Sequence, residues 1–302
     1  MTTASYLQGV LDSYKVNEDT SDIQIHKQKR DQISMGLQSY FGGKIYAPIN
    51  SGSLAKHTEV SCKFDLDIVV PFKGIGTVTL EAIYYNVSEY FKRIYQDQDS
   101  SLHTVRDQTV SIGLDFLIDG KVVGIDVVPG REVHNYAYDK DLNLYVNNTT
   151  GTFGKGTRIK TNIQAQIDHI RNNTEARSCI RLLKIWKCLQ KVEVKSFLIE
   201  LITIRAFQDW NISQERGLDT QLIRVLEFIA QNIEGGIALK DPGNSGNNVL
   251  DTLSETQRWS IKQQCSLMAQ NISGGEAALR PYLYPNAAYQ NGSQNYRNND
   301  FG

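Results

Sequence analysis

The spacing of apolar and polar positions changes about halfway along the chain. From Ile23 to Phe41 the apolar residues Ile23, Ile33, Leu37 and Phe41 recur at helical intervals, and Gly42-Gly43 ends the run. One long amphipathic helix is expected there. The following segment, KIYAPINSGSLAKHTEVSCKFDLDIVVPF, reads as a strand, a glycine-serine turn, a polar connection and a second strand. Ile68-Val69-Val70 in that second strand predict burial on both faces. Residues 79–96 predict another amphipathic helix. TVSIGLDFLIDGKVVGIDVVPG then alternates about Asp119-Gly120, which predicts two antiparallel strands, the second stopping at Val128 before Pro129-Gly130. Residues 131–160 are polar and weakly periodic, as in a long irregular connection or a lobe boundary. Beyond them the period is helical over 162–171, 174–191, 195–210, 217–233 and 252–271. The expected division is a mixed α/β core with its long helix over 1–150, a helical lobe over 151–275, and an irregular or mobile tail over 276–302.

Composition narrows the function classes. The 302 residues carry 32 Lys and Arg against 33 Asp and Glu, a formal charge of −1, so the basic excess of a duplex nucleic-acid binder is absent. A local basic surface remains open, from Lys27, Lys29 and Arg30 with Lys155, Arg158 and Lys160. No apolar run approaches the roughly 18 residues of a membrane span, and the first residues are too polar for a signal peptide. A soluble cytoplasmic protein is expected. Cys62, Cys179, Cys188 and Cys265 show no CxxC spacing and sit in apolar or helical segments, as structural thiols do.

The chemistry centres on Phe64-Asp65-Leu66-Asp67. Side chains alternate along a strand, so Asp65 and Asp67 share a face. Two carboxylates held together raise each other's pKa unless a cation lies between them. Oxygen-only donors suit Mg²⁺ or Mn²⁺ better than zinc. The alternative is a pair of solvated strand-end aspartates. Asp126, near the end of a second apolar strand, stands where Val or Ile belongs and would supply a third carboxylate to a two-metal site. Asp119 is explained by its turn, and Asp115 is placed on the other, solvated face. Ahead of the pair, Gly52-Ser53 follows a strand and feeds a helical turn, a place where backbone N–H groups can cradle an anion.

With these residues the sequence resembles the DNA polymerase β-like nucleotidyltransferases, whose signature is Gly-Ser, then Asp-x-Asp, then a third strand aspartate. More narrowly it is similar to the cGAS/DncV-like nucleotidyltransferases, on GSLAKHTEVSCKFDLDIVVPF, VGIDVVPG, RLLKIWK with KSFLIELI, and KDPGNSGNNV. The resemblance implies an α+β fold: a polymerase β-like core, with a mixed sheet and flanking helices, plus a C-terminal helical lobe. The long N-terminal helix matches the family's spine helix. His57 departs from the glycine common before Thr58, and residues 161–163 lack the proline often found in that turn.

The resemblance also assigns roles. It implies metal ligation and catalysis by Asp65, Asp67 and Asp126, and nucleotide binding by Gly52, Ser53, Lys184, Ser196 and Phe197, with the loop Asp241-Pro242-Gly243-Asn244 near the nucleotide. Arg177, Arg181 and Lys184 recur at intervals of four and three and share a helix face, which supports a basic stripe toward phosphates. A solvated face is the alternative for that stripe, and core packing the alternative for Phe197. The implied activity is a monomeric, Mg²⁺- or Mn²⁺-dependent cyclic dinucleotide synthase. It joins two nucleoside triphosphates, GTP favoured, to cyclic di-GMP, whose effector in bacterial anti-phage signalling is a separate protein. No DNA, RNA or membrane is required. The enzyme alternative is an RNA-tailing or small-molecule nucleotidyltransferase; a binding-only regulator is the non-enzyme alternative.

Overall fold

The computed structural model describes residues 2–16, 21–62, 66–74, 76, 78–147 and 156–287. Along the chain come α1 (Thr3–Ser13), α2 (Ser21–Phe41), β1 (Ile49–Ser51), α3 (Gly52–Lys56), β2 (Leu66–Phe72) and α4 (Leu80–Glu89). A π-helical turn (Tyr90–Tyr95) and α5 (Gln96–Gln98) continue α4 into β3 (Leu102–Asp107), β4 (Ile112–Ile118), β5 (Lys121–Glu132), α6 (Tyr136–Asp139), β6 (Leu142–Val146) and β7 (Thr157–Thr161). Then follow α7 (Ile163–Asn172), α8 (Arg177–Gln190), α9 (Ser196–Trp210), α10 (Leu218–Asn232), the hairpin β8 (Lys240–Asp241) and β9 (Asn244–Asn248), α11 (Glu255–Ile272) and α12 (Glu276–Leu279).

These elements form two compact units, one of residues 17–56 and 65–167, the other of 1–16, 57–64 and 168–302. The first is a mixed sheet in the order β1-β2-β5-β4-β3, with β6 and β7 added beside the far end of β5. β2 and β5 are parallel, and the other pairs are antiparallel. The expected stripe of α2 is buried throughout: Ile23, Ile33, Leu37 and Phe41 are all in the core. Ile68, Val69 and Val70 are fully covered, as their unbroken apolar run requires. Asp119 and Gly120 both take positive φ, +50° and +76°, the pair a two-residue hairpin needs.

Two expectations need correction. β5 does not stop at Val128. It runs to Glu132, because Pro129 falls between the last β4 partner of the strand, at Val127, and the first β6 partner, at Gly130, where a missing N–H breaks no ladder on that edge. Residues 131–160 are not simply irregular, since α6, β6 and β7 arise within them. β7, TRIKT, is an exposed edge strand with basic residues, a composition that blunts pairing with other chains and hides the strand from an apolar pattern. In the stretch from Glu276 the described residues include α12 and run to 287. Leu279 and Leu283 are fully buried, and the Tyr6 hydroxyl donates to the Leu283 carbonyl at 2.9 Å. Residues 288–302 lie outside the described residues.

The second unit is built on α1 and α8 to α11 around one apolar core. α1 was not expected from the sequence; Tyr6, Leu7 and Val10 bury one side of it. α11 opens on a reciprocal cap, Ser254 with Gln257. All four cysteines are thiols, and burial pushes those of Cys179 and Cys265 up to about 12, out of reach of physiological ionisation.

Candidate active site

The sheet sets five residues at one level across five strands. Ser51 of β1 stands opposite Asp67 of β2, Asp67 beside Asp126 of β5, Asp126 opposite Gly113 of β4, and Gly113 opposite Arg106 of β3. Paired positions present their side chains to the same face, and neighbouring strands lie about 4.8 Å apart. Asp67 and Asp126 are therefore adjacent carboxylates on one face. Ile125 and Val127 turn the other way into the core. Asp65 lies outside the described residues.

Gly52 follows β1 directly and begins α3, and two features there admit only glycine. Its φ is +77°, and a Cβ on it would stand 1.8 Å from Oδ2 and 2.9 Å from Cγ of Asp67. The turn thus brings bare backbone against the carboxylate. Ser53 is the second residue of α3 and is half-buried.

Asp126 accepts a hydrogen bond from the Gln108 amide, Nε2 to Oδ1 at 3.3 Å. Asp115 corrects another expectation. It lies two residues beyond Gly113 on β4, so the solvated face to which alternation assigns it is the face that carries the site. Arg106 binds it in a bidentate pair, the second contact at 3.0 Å.

Whether a divalent ion suits these residues follows from the donors. Asp67 and Asp126 offer oxygen only, without sulfur or imidazole nearby in the row, and the glycine leaves space beside one of them. Among the described residues no group of three metal-ligating side chains is close enough to hold an ion; the third expected ligand is Asp65. The donor set fits a hard cation such as Mg²⁺ or Mn²⁺.

In the helical unit the basic face of α8 has partners. Arg177 donates to the Arg171 carbonyl at 3.0 Å, and Arg181 binds Glu59 at 2.6 Å. Lys184 is only 6 % exposed, and its ammonium donates to Glu200 Oε1 at 2.5 Å, Thr58 Oγ1 at 2.7 Å and the Thr58 carbonyl at 3.1 Å. Glu200 also accepts from the Thr58 hydroxyl at 2.6 Å. The stripe expected to face phosphates is here a set of bonded cations. Thr58 follows His57, which takes a left-handed φ of +57°, the conformation for which glycine is suited at that position. Ser196 opens α9 and accepts from Lys187 at 3.1 Å. Phe197 is half-buried and packs against the helical core. Asp241 is buried and accepts from the Gly243 N–H at 2.8 Å, so the Asp-Pro-Gly segment is the turn of the β8–β9 hairpin. Glu200 was legible as a lone carboxylate inside the apolar run FLIELI, which demands a cation. Gln108 and Lys187 carried no such signal.

Basic residues on the sheet unit are similarly engaged. Lys29 is buried against Asp99 at 2.7 Å, Arg30 pairs with Asp31, and Lys160 pairs with Asp141 at 2.6 Å. Lys155 lies outside the described residues. No described helix is long and apolar enough to cross a membrane.

No family model matches the chain. A "probable cyclic nucleotide synthase" of Bacillus cereus strain VD146 is 24 % identical over 294 residues, covering 85 % of this chain and 86 % of the relative. Among solved structures, E. coli MS115-1 CdnC with ATP superposes with a TM-score of 0.69 at 19 % identity, covering 91 % of this chain and 92 % of that one. The Bradyrhizobium diazoefficiens CD-NTase CdnG in complex with GTP gives 0.70 at 14 % identity over 89 % and 91 %. The cyclic dinucleotide synthase CdnE of Elizabethkingia meningoseptica, with GTP and Apcpp, gives 0.63 at 15 % over 86 % and 97 %. In sequence the chain is similar to a probable cyclic nucleotide synthase, and in fold to the solved structures of CdnC, CdnG and CdnE.

Proposed function

We propose that the chain is a cyclic dinucleotide synthase, in which the 3′-hydroxyl of one nucleoside triphosphate attacks the α-phosphorus of another and pyrophosphate leaves. The observation that carries this is the level row of Asp67 and Asp126 on adjacent strands, with Gly52 against Asp67. Asp67, Asp126 and Asp65 would hold the divalent ion, which supplies positive charge to the triphosphate and to the departing pyrophosphate. Asp126 assists removal of the 3′-hydroxyl proton. Gly52 lets the chain approach closely, and Ser53 offers its backbone and hydroxyl to a phosphate. Ser196 is the phosphate contact of the helical unit, and Phe197 is the base-stacking candidate. Lys184 would reach phosphate only by leaving Glu200, so its principal role is to neutralise that buried carboxylate.

Relatives that hold ATP or GTP, and one named a cyclic nucleotide synthase, support purine triphosphates as substrates. The product expected is cyclic di-GMP, acting on a separate effector in anti-phage signalling. The test incubates the purified chain with each α-labelled triphosphate singly and in pairs, with Mg²⁺ or Mn²⁺, followed by phosphatase and thin-layer separation. A compact phosphatase-resistant spot from GTP alone is the expected result. A ladder would assign RNA-like tailing instead, and no incorporation by wild type would overturn the reading.

A further inference from the structure

Asp126 is aimed by something other than its own strand. Gln108 begins the short turn between β3 and β4, and that turn is fixed from several directions. The Gln108 N–H bonds the Ser111 carbonyl at 2.9 Å, and the Asn147 N–H bonds the Thr109 carbonyl at 2.7 Å. The buried Tyr84 hydroxyl lies 2.7 Å from the Gln108 carbonyl and 2.9 Å from that of Ser111, donating between them. Burial pushes that hydroxyl up to about 12, so it stays a donor at any working pH.

The side chain is oriented as closely as the backbone. The Ser111 hydroxyl, itself 7 % exposed, donates to Gln108 Oε1 at 2.5 Å. That bond turns Nε2 toward Asp126 Oδ1. An amide turned the other way would set two acceptors face to face. Gly113 makes room: a Cβ there would lie 2.5 Å from Gln108 Nε2 and 3.3 Å from Asp126 Oδ1. The space opposite Asp126 is thus occupied by an amide from the next turn.

We propose that Gln108 is a positioning residue for Asp126, its amide oriented by the Ser111 hydroxyl so that the Asp126 carboxylate is held in the conformation used for metal ligation and proton removal. This rests on the functional reading above and names what sets the geometry of its third carboxylate. Gln108 orients without adding charge. Outer partners of this kind typically contribute 10- to 100-fold to metal affinity or activity.

The experiment compares wild type with Gln108→Ala, Ser111→Ala, the double variant and Asp126→Ala, measuring kcat, KM for the triphosphate, melting temperature and Mn²⁺ binding by electron paramagnetic resonance. Gln108→Ala should lose roughly 10- to 100-fold in kcat, weaken Mn²⁺ binding several-fold, and keep KM within about twofold and an unchanged melting temperature. Ser111→Ala should move the same quantities less. The double variant should be no worse than Gln108→Ala alone, because Ser111 acts through the amide. Gln108→Asn, whose shorter amide cannot span the gap, should not rescue. Unchanged kcat in Gln108→Ala, additive losses in the double variant, or a kcat loss matched by a lower melting temperature with Mn²⁺ binding intact would each overturn the proposal while Asp126→Ala still marks the functional reading as sound. Wild type that makes no product would overturn both.

Discussion

The molecule handles buried or half-buried carboxylates in two ways. In the helical unit Glu200 meets an ammonium and a hydroxyl, Lys184 and Thr58, all three within the core. In the sheet unit Asp126 meets a neutral amide, and Asp67 meets a glycine that leaves space beside it. The first arrangement is complete in itself, since opposite charges cancel where water cannot. The second sets two carboxylates side by side on one face of the sheet, one of them oriented by an amide. One unit uses a carboxylate to hold helices; in the proposed function the other uses its pair for chemistry.

The comparison breaks most visibly at Asp67. Asp67→Ala should lower product formation by on the order of 10³-fold while melting no lower than wild type, because removing one of two neighbouring carboxylates relieves repulsion. Gly52→Ala should approach the same loss, as its methyl occupies the place of Oδ2. Near-normal turnover by Asp67→Ala in metal-containing buffer would sink the site.

Lys184→Ala should act on stability instead. Leaving Glu200 buried without its ammonium costs about 3–5 kcal/mol, which corresponds to roughly 10 °C in melting temperature. A double change, Lys184→Met with Glu200→Leu, should recover most of that loss, since an apolar pair of similar volume replaces the ions. If Lys184→Ala melts normally and instead raises KM for the triphosphate, the pair is a phosphate site and the contrast between the units dissolves.

His57→Gly sharpens the same contrast from the backbone. A left-handed non-glycine residue costs roughly 1–2 kcal/mol, and the added freedom of unfolded glycine returns about 0.5–1 kcal/mol. A net gain near 0.5 kcal/mol in chemical denaturation is expected, with product formation unchanged. A loss of stability would mean that the imidazole has a contact of its own.

The smallest effect concerns Glu132, a third style of carboxylate. Burial pushes it up, but N–H groups of Gly74 and Tyr136 and the Tyr46 hydroxyl together hold it below the ordinary range. A depressed folded value means the unfolded chain binds more protons as the pH falls. Its stabilisation is complete above the unfolded value of about 4.3 and fades as acid carries the pH through the lower folded one. Glu132→Gln should therefore flatten the acid side of the urea-midpoint profile. An unaltered acid limb would show that Glu132 contributes nothing there.

Much of this was legible in the sequence because it is written in period and spacing. The spine helix, the Asp119-Gly120 hairpin, the helices of the second half and the aspartates of the motif all repeat at fixed intervals that burial enforces. What stayed hidden has no interval. β7 exposes most of its residues, Pro129 masks a strand that continues past it, and Gln108 is a polar residue in a turn whose meaning depends on a strand eighteen positions later. The partners of Lys184 were hidden too, because they come from Thr58 and Glu200, on other segments than the helix face it shares with two arginines.

The place of Asp126 in β5 bears on how the site is lost. Ile125, Asp126 and Val127 of β5 have ladder partners on both edges, β2 on one and β4 on the other. Amides so enclosed exchange with deuterium only when the whole unit opens, whereas the edge strand β7 frays on its own. In a native-state exchange experiment the backbone under the third carboxylate should be among the slowest to label. Activity would then persist through local fluctuations and vanish in one step with the sheet, so that an inactivation rate measured at elevated temperature is in effect the unfolding rate of β5.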